Sequence, residues 1–182
     1  NVGLVLHLHR LLFQFTQTPG GAFKTEANLV VDRLPDGTKI KRFTPVSVQQ
    51  TPLYVEELIV RYRDAHDAGR HHPVLVAGLF VLDLLTIHPF IDGNGRVARV
   101  LTNALLEDAG YAVSRYVSLE TAIARSADAY YAALAESTAG WHEGKHTPWP
   151  WLAYFTTVVA GAYTTFAQRT AEARTAGSKQ DR

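Results

Sequence analysis

The feature that most constrains the fold is an apolar run, VLVAGLFVLDLLTI, at residues 74–87. Apolar side chains would surround a helix of this sequence on nearly every side, and such a helix has to lie among other elements. Pro73 can occupy the first turn of this helix, whereas Pro89 disfavours helical geometry at His88 and ends it. The run therefore predicts a central helix around which the rest of the chain packs.

The segments around this run also carry helical patterns. In residues 2–16, apolar side chains recur three or four positions apart, which predicts a helix that buries this stripe. The stripe consists of Leu4, Leu8, Leu11, Leu12 and Phe15. Capping and breaking residues predict four more helices. These cover residues 51 to about 68, about 96 to 110, 118 to 136, and a last one that starts at 147–148.

One stretch has β rather than helical character. Residues 28–43, NLVVDRLPDGTKIKRF, contain two short β-type runs on either side of Pro35, Asp36 and Gly37. A turn of this composition between two short strands predicts a hairpin. The expected fold is therefore all-α, a helical bundle that carries one small β-hairpin.

The composition narrows the class of protein. The chain has 182 residues, 47% hydrophobic and 19% charged, which fits one globular domain. Its 18 basic and 17 acidic residues leave a net charge of +1, so no overall field favours nucleic acid or a membrane surface. The absence of cysteine excludes disulfides and thiol chemistry. It is compatible with the reducing cytoplasm, where we expect the protein to act.

The two ends of the chain carry further expectations. Residues 147–168 have no charge and exceed the roughly 20 residues of a bilayer span, but Pro148, Pro150 and several threonines favour a long core helix. Residues 177–182 are expected to fray, which leaves 1–176 as the domain. Because the chain begins at Asn1 and contains no methionine, we expect a further segment to precede it.

The link after the apolar run, HPFIDGNGRVAR, is more polar than a connection between buried helices needs to be. Gly93, Asn94 and Gly95 predict a tight turn at the start of the next helix. Backbone amides at such a turn, together with the positive end of the helix dipole, bind anions such as phosphate. The link therefore predicts a phosphate site.

Side chains around this turn extend the same site. Arg96, Arg99 and Asn103 follow at helical spacing on one face, where the arginines would continue the anion site along a chain of phosphates. Asp92 is explained best as a ligand of Mg²⁺, and His88 is a candidate general base. A polar loop with surface arginines would explain any one of these residues alone, but their combination favours the site.

These residues resemble the signature of the Fic domain family, His-Pro-Phe-x-Asp/Glu-Gly-Asn-Gly-Arg-x-x-Arg. Residues 88–99 fill every specified position. Weaker similarity covers residues 4 to about 166: PGGAFKTEANLVV resembles the segment that leads into the family's flap, and ARSADAYYAALAES and TPWPWLAYF resemble its C-terminal helices. The resemblance implies a Fic-type helical domain whose hairpin flap lies at about residues 24–43.

The resemblance also implies an activity, the transfer of AMP from ATP to a hydroxyl side chain of a target protein. By position, His88 would take the proton of the attacking hydroxyl, and Asp92 would hold Mg²⁺ between the α- and β-phosphates. The α-phosphate would bind at Gly93, Asn94 and Gly95, the β-phosphate region at Arg96 and the γ-phosphate at Arg99. Phe90 is expected instead to plug the core and fix the loop.

Two further groups follow from the resemblance. Tyr130 and Tyr131 correspond to residues near the adenine, although core packing explains such aromatic residues equally well. The flap would align a target segment that presents Ser, Thr or Tyr by strand addition. The residues expected to dock it are Lys24, Asn28, Leu29 and Val30.

Other functions stay open at this point. Removal of AMP would use the same histidine and metal site, and a non-catalytic nucleotide-binding or partner-binding module would keep the fold. The phosphate-transferring Doc branch is less favoured, because it departs from the Gly-Asn-Gly turn. HEGKH at residues 142–146 matches the zinc pattern H-E-x-x-H, but Gly140, Gly144 and Pro148 argue against the helix that this pattern needs.

Control of the activity is a last expectation from the resemblance. Many family members carry the inhibitory pattern Ser/Thr-x-x-x-Glu-Gly/Asn, whose glutamate pairs with the second signature arginine, here Arg99. Glu143 precedes Gly144, but Ala139 stands where the hydroxyl residue belongs. An inhibitory helix is therefore expected upstream of Asn1 or on an antitoxin-like partner, and a homodimer stays open.

Overall fold

The computed structural model describes residues 1–33 and 39–180, and over these residues the chain is mainly helical. The helices are α1 Val2–Phe13, α2 Thr51–Ala68, α3 Pro73–Ile87, α4 Asn94–Asp108, α5 Leu119–Arg125, α6 Ala127–Thr138 and α7 Trp149–Gln180. Two short 3-10 helices cover Ala112–Arg115 and Trp141–Glu143. The strands β1 Val30–Arg33 and β2 Lys39–Phe43 pair antiparallel. The expected all-α fold with one hairpin is confirmed.

Helix α3 lies at the centre, as its apolar sequence predicts. It packs against α2, α4 and α7, and ten of its fifteen residues are buried. Where α7 crosses α3, the indole Nε1 of buried Trp151 donates to the Gly78 carbonyl at 2.8 Å. Each large apolar side chain buried here stabilises the fold by about 1.5–3 kcal/mol. This packing holds α3 in place, so the loops that begin at its two ends start from fixed positions.

The buried face of α1 differs from the predicted one. The helical spacing is correct, but Leu4, Leu11 and Phe15 are exposed, and Phe15 lies beyond the end of the helix. The buried side chains are instead Val5, His9 and Phe13. The predicted stripe is right for Leu8 and Leu12, which are half-buried against the core, and wrong for its other three members. His9, a polar residue, faces inward instead, where it is hydrogen-bonded to the Asp92 carbonyl in the loop that follows α3 and to the Gly21 amide.

The predicted helix over residues 118–136 is also divided in two. Ser126 leaves helical geometry, with φ −118° and ψ 32°. Its hydroxyl bonds the Ala122 carbonyl at 2.9 Å and the Tyr154 hydroxyl at 2.9 Å. A serine hydroxyl that bonds the preceding turn favours such a break. The change of direction lets α5 and α6 both pack on α7.

The remaining boundaries lie close to their predicted positions. Helix α4 starts at Asn94, two residues before the predicted start, and α7 continues to Gln180 across most of the predicted frayed tail. The predicted hairpin turn at Pro35, Asp36 and Gly37 lies outside the described residues. Within the described ranges, no helix has both the length and the apolar character that a membrane span requires.

Candidate active site

The site forms where α3 ends and α4 begins, and its loop is held from inside. Phe90 is fully buried, as expected of a residue that fixes the loop. The Asn94 side chain closes the loop on itself: its Oδ1 accepts from the Phe90 amide at 2.9 Å and its Nδ2 donates to the Phe90 carbonyl at 2.7 Å. Oδ1 and one N–H of Nδ2 are therefore used inside the loop, which leaves Asn94 its backbone amide and the second N–H of Nδ2 as donors.

The N-terminus of α4 presents free amides one residue further along the chain than the sequence predicts, because the Gly93 amide donates to Asp92 Oδ1. Gly93 caps the helix with φ 84°, in the left-handed region that glycine adopts without strain. The first helical bond runs from the Val97 amide to the Gly93 carbonyl at 2.9 Å. The amides of residues 94–96 are therefore the first-turn donors that a helix leaves without helical acceptors. They lie at the positive end of the helix dipole, an arrangement that favours anions.

His88 lies at the opposite end of the same loop, as the last cap of α3. Its backbone is left-handed, with φ 52° and ψ 61°. The ring Nδ1 lies 3.1 Å from the Leu85 carbonyl oxygen, which can only accept, so Nδ1 carries the proton. In the neutral ring Nε2 then has the free lone pair. Burial lowers the pKa of His88, so the ring stays neutral at pH 7 and Nε2 can accept a proton.

Asp92 and Arg96 form an exposed pair beside these amides. Arg96 Nη2 lies 2.8 Å from Asp92 Oδ2, and the other carboxylate oxygen accepts from the Gly93 amide. The guanidinium carbon of Arg96 lies 4.6 Å from the centre of the Phe13 ring. An exposed ion pair of this kind contributes only about 0–1 kcal/mol. Both groups can therefore exchange partners when a phosphate or a cation arrives.

Arg99 lies one turn further along α4 and already has a carboxylate partner. Its Nε lies 3.6 Å from Glu120 Oε1 on α5. The side chains of Arg99 and Glu120 are 37% and 59% exposed, so water screens this pair as well. Asn103, the third residue of the predicted face, has a buried Oδ1 without a hydrogen-bond partner among the described residues.

A narrow apolar recess adjoins Arg99. Tyr130, Leu119 and Ile123 contribute to its lining. Its volume of about 20 Å³ is close to the space of one water molecule. Burial raises the pKa of Tyr130 to about 12. Tyr131 is 57% exposed, so the two tyrosines do not share one environment.

Lys24 does not lie where a target could dock, which corrects the prediction for this residue. Its side chain is only 3% exposed. The ammonium donates to Asn28 Oδ1 at 3.1 Å and to the carbonyls of Ile87 at 3.2 Å and His88 at 3.0 Å. Asn28 Nδ2 bonds the Phe90 carbonyl at 2.8 Å. Both polar side chains therefore face the loop that follows α3.

The other two predicted docking residues are differently placed. Leu29 is exposed and Val30 is half-buried at the start of β1. Val30 is paired with Phe43 of β2. This part of the predicted docking surface stays available on the flap.

His9 is a site residue that the sequence patterns did not reveal. Its ring stacks on Phe90, with ring centres 3.8 Å apart and planes 3° apart. Nδ1 accepts from the Gly21 amide at 2.9 Å, so Nε2 carries the proton and donates to the Asp92 carbonyl at 3.1 Å. Burial lowers the pKa of His9, which keeps this ring neutral. His9 thus connects α1 to the loop; its only sequence signal is a histidine spaced four residues from Val5 and Phe13.

The HEGKH segment does not form the helix that the zinc pattern requires. Trp141–Glu143 is a single 3-10 turn between Gly140 and Gly144, which are both left-handed. His142 Nε2 donates to the Thr44 carbonyl at 2.6 Å. The prediction of a loop here is confirmed.

Comparison with known proteins agrees with this geometry. The Fic/DOC family model matches residues 1–106. The protein adenylyltransferase Fic of Drosophila ananassae is 34% identical over 108 residues, which are 59% of this chain and 20% of that protein. The corresponding protein of Drosophila willistoni is 35% identical over 111 residues, with 59% and 20% coverage. The chain thus spans about a fifth of the length of the curated relatives it matches.

Solved structures show the same fold over nearly the whole chain. A Fic domain-containing signaling protein from Bacteroides thetaiotaomicron has a TM-score of 0.68 and 25% identity, covering 90% of this chain and 60% of its own. Fic-1 from C. elegans has a TM-score of 0.63 and 24% identity, covering 94% and 44%. The second likeness concerns the fold alone.

Proposed function

Because the chain belongs to the Fic/DOC family, we propose that it transfers AMP from ATP to a hydroxyl side chain of a protein. The hydroxyl oxygen attacks the α-phosphorus, the bond from that phosphorus to the bridging oxygen breaks, and diphosphate leaves. The proton of the hydroxyl passes to His88 Nε2. The observation that carries this proposal is a neutral histidine with a fixed Nδ1 proton, held across one short loop from the free amides of a helix N-terminus.

The amides of residues 94–96 hold the α-phosphate in this proposal. Negative charge grows on the non-bridging oxygens as the hydroxyl attacks, and amides that are already oriented stabilise it without reorganising. The loop is rigid because Phe90 is buried and Asn94 is bonded to it at both ends. The helix N-terminus therefore acts on the transition state as well as on bound ATP.

Arg96 and Arg99 bind the rest of the triphosphate. Each guanidinium now faces one exposed carboxylate, Asp92 or Glu120. Such pairs contribute about 0–1 kcal/mol, whereas a hydrogen bond to a charged group contributes about 1.5–3 kcal/mol. The triphosphate therefore displaces both carboxylates, and Asp92 becomes free to bind a cation.

Asp92 fits a magnesium ion that is shared with the nucleotide. Mg²⁺ is usually held by one or two protein carboxylates plus phosphate oxygens, so one carboxylate beside bound phosphates is enough. Asp92 is 64% exposed beside the anion site. When bound, the ion neutralises charge on the phosphates.

Replacing Asp92 with alanine is expected to remove most of the dependence of ATP binding on Mg²⁺. A carboxylate beside phosphates repels them by about 1 kcal/mol at 4 Å in water, and a shared cation reverses that sign. In calorimetric titrations we expect Mg²⁺ to tighten ATP binding to the wild type at least about tenfold over EDTA, or about 1.4 kcal/mol. In Asp92→Ala this gain should shrink to about threefold or less.

The control for this experiment is Asp64→Ala, which removes an exposed carboxylate from α2. It should keep the full effect of Mg²⁺. If Asp92→Ala and the wild type depend equally on Mg²⁺, Asp92 does not hold the ion.

Replacing Gly95 with alanine is expected to separate ATP binding from stability. A Cβ there meets only Arg99 Nη1, at 3.4 Å, and alanine favours a helix over glycine by up to about 1 kcal/mol. The free energy of unfolding should therefore stay the same or rise. ATP affinity should fall about tenfold or more, because the methyl group covers amides whose bonds to phosphate are worth about 1.5–3 kcal/mol.

The matched control is Gly161→Ala on α7, where a Cβ meets nothing within 4 Å. Thermal unfolding should show a similar gain for both variants, and calorimetry should show weaker ATP binding only for Gly95→Ala. Unchanged ATP affinity in Gly95→Ala would place the phosphates elsewhere.

In this proposal, the adenine of ATP and the target segment lie on either side of the phosphates. The adenine rests against the mouth of the recess lined by Tyr130, because the recess itself is too small to enclose a ring. A target segment adds to the exposed side of the flap near Leu29 and Val30, where backbone hydrogen bonds align it by strand addition.

The direct test is incubation of the protein with ATP labelled at the α-phosphate and a cell lysate. We expect a labelled protein band with this ATP. No labelled band should appear when the ATP carries its label at the γ-phosphate instead. ATP that binds without any transfer would indicate a non-catalytic module. Release of AMP from a protein modified beforehand, without transfer from ATP, would indicate the reverse reaction.

A further inference from the structure

The Lys24 ammonium is buried against the catalytic loop with every donor occupied. An ammonium has three N–H donors. Here they meet three acceptors, Asn28 Oδ1 and the carbonyls of Ile87 and His88. Burial lowers the pKa of Lys24 to about 8, so the amine is mostly charged at pH 7 and loses its charge at higher pH.

Lys24 and Asn28 together bind four successive carbonyl oxygens of the loop, those of residues 87–90. In addition to the two carbonyls bound by its ammonium, the Lys24 backbone amide donates to the Pro89 carbonyl at 2.9 Å. Asn28 Nδ2 donates to the Phe90 carbonyl at 2.8 Å and to the His88 carbonyl at 3.4 Å. Carbonyls at the end of a helix lack helical partners and carry its negative pole, which a cation stabilises.

We propose that Lys24 is a positioning residue for His88. By fixing the carbonyls of residues 87–90, with the help of Asn28, it holds His88 in its left-handed backbone conformation and keeps Nδ1 on the Leu85 carbonyl. Nε2 then stays available at a constant position. The catalytic meaning of this role rests on the proposed AMP transfer, but the structural role does not.

The charge of Lys24 acts on the same ring. Burial is the main cause of the lowered pKa of His88, and the bond to the Leu85 carbonyl acts in the opposite direction. The positive charge of Lys24 adds to the effect of burial, because a positive neighbour disfavours the protonated imidazole. If Lys24 only filled space, a substitution that keeps its size and removes its charge would leave the pKa of His88 unchanged. The titration of His88 therefore distinguishes a positioning role from mere packing.

The test compares Lys24→Met, which keeps the length of the side chain, with Lys24→Arg, which keeps the charge. The ring of His88 is titrated by NMR in the nucleotide-free protein, and ring nitrogen shifts report which nitrogen carries the proton. In Lys24→Met we expect a higher pKa of His88 and a mixture of the two neutral tautomers. Lys24→Arg should keep the low pKa. Lys145→Met, at an exposed position, is the control and should match the wild type.

Kinetics add a second measurement if the proposed transfer is observed. In Lys24→Met, kcat should fall about tenfold or more, because small displacements of a catalytic group have effects of this size. KM for ATP should change less than about threefold, since Lys24 contacts no phosphate site. If the wild type transfers no AMP, the proposed function fails, while the NMR titration still tests the role of Lys24.

The wild type provides the test if Lys24→Met does not fold. The His88 resonance should then show a second inflection near pH 8, where Lys24 titrates, and this inflection should be absent in Lys24→Arg. Two results would overturn the proposal: an unchanged pKa and tautomer of His88 in folded Lys24→Met, or the absence of an inflection near pH 8 in the His88 titration of the wild type.

Discussion

Replacing His88 with alanine is expected to reduce AMP transfer by about 10²- to 10⁴-fold, the usual contribution of a general base. The Leu85 carbonyl fixes the tautomer of the His88 ring, and burial lowers its pKa, so that Nε2 is free to accept the proton. ATP affinity should change little, because the phosphates bind on α4 and the ring ends α3. Initial rates with labelled ATP and calorimetric titration with ATP measure the two effects separately.

A second substitution at the same position separates the loss of the general base from a loss of folding. His88 has a left-handed backbone, and asparagine adopts this geometry more readily than alanine. His88→Asn should therefore be as inactive as His88→Ala but more stable. His71→Ala, at an exposed position before α3, should keep full activity. Transfer at a near-normal rate by His88→Asn would rule out His88 as the base.

The helix boundaries and the anion site were predictable because they depend on local chemistry. Proline and glycine restrict or free the backbone whatever lies around them, so Pro73 and Gly69 mark helix ends in the structure as they do in the sequence. The turn at residues 93–95 needs only its own glycines to start α4. Such features do not depend on contacts with distant segments.

The buried face of α1 was not predictable from periodicity. A helical period states how side chains repeat but not which of two overlapping stripes faces inward. Both Leu4 with Leu11 and Val5 with His9 satisfy the spacing, and apolar content favours the first pair. The structure buries the second, because His9 finds an acceptor in the Asp92 carbonyl and a stacking partner in Phe90. This choice depends on a loop more than eighty residues away.

The position of Lys24 also could not be predicted from the sequence, because it depends on a distant segment. A lysine in a polar segment is usually exposed, and the family resemblance placed Lys24 on the docking flap. Its three acceptors include two carbonyls that become available only where α3 ends, more than sixty residues later. The side chain of Asn94 also has a role that the motif did not reveal, because it bonds the Phe90 amide and carbonyl, while the assignment of Asn94 to phosphate stays a prediction. Side-chain roles inside a loop thus follow from the folded loop rather than from the motif.

Replacing Gly93 with alanine is expected to lower the free energy of unfolding by about 2–5 kcal/mol, as the sum of two costs. The first is backbone strain, because φ is 84° and a Cβ in the left-handed region costs about 1–2 kcal/mol. The second is overpacking of about 1–3 kcal/mol, because the Cβ would lie 2.7 Å from Phe13 Cε2 and 3.4 Å from His9 Cδ2. Phe13 is buried, so its ring can yield only if α1 moves away from the loop.

The matched control for this prediction is Gly110→Ala, which separates the two costs. Gly110 has φ 87°, almost the same as Gly93, but a Cβ there meets nothing within 4 Å. Denaturant unfolding at 25 °C should therefore show a loss of only about 1–2 kcal/mol for Gly110→Ala, the cost of strain alone. The excess loss in Gly93→Ala measures the contact between α1 and the loop. Equal losses in the two variants would mean that Phe13 does not restrict this position, and that glycine is needed at residue 93 for backbone geometry alone.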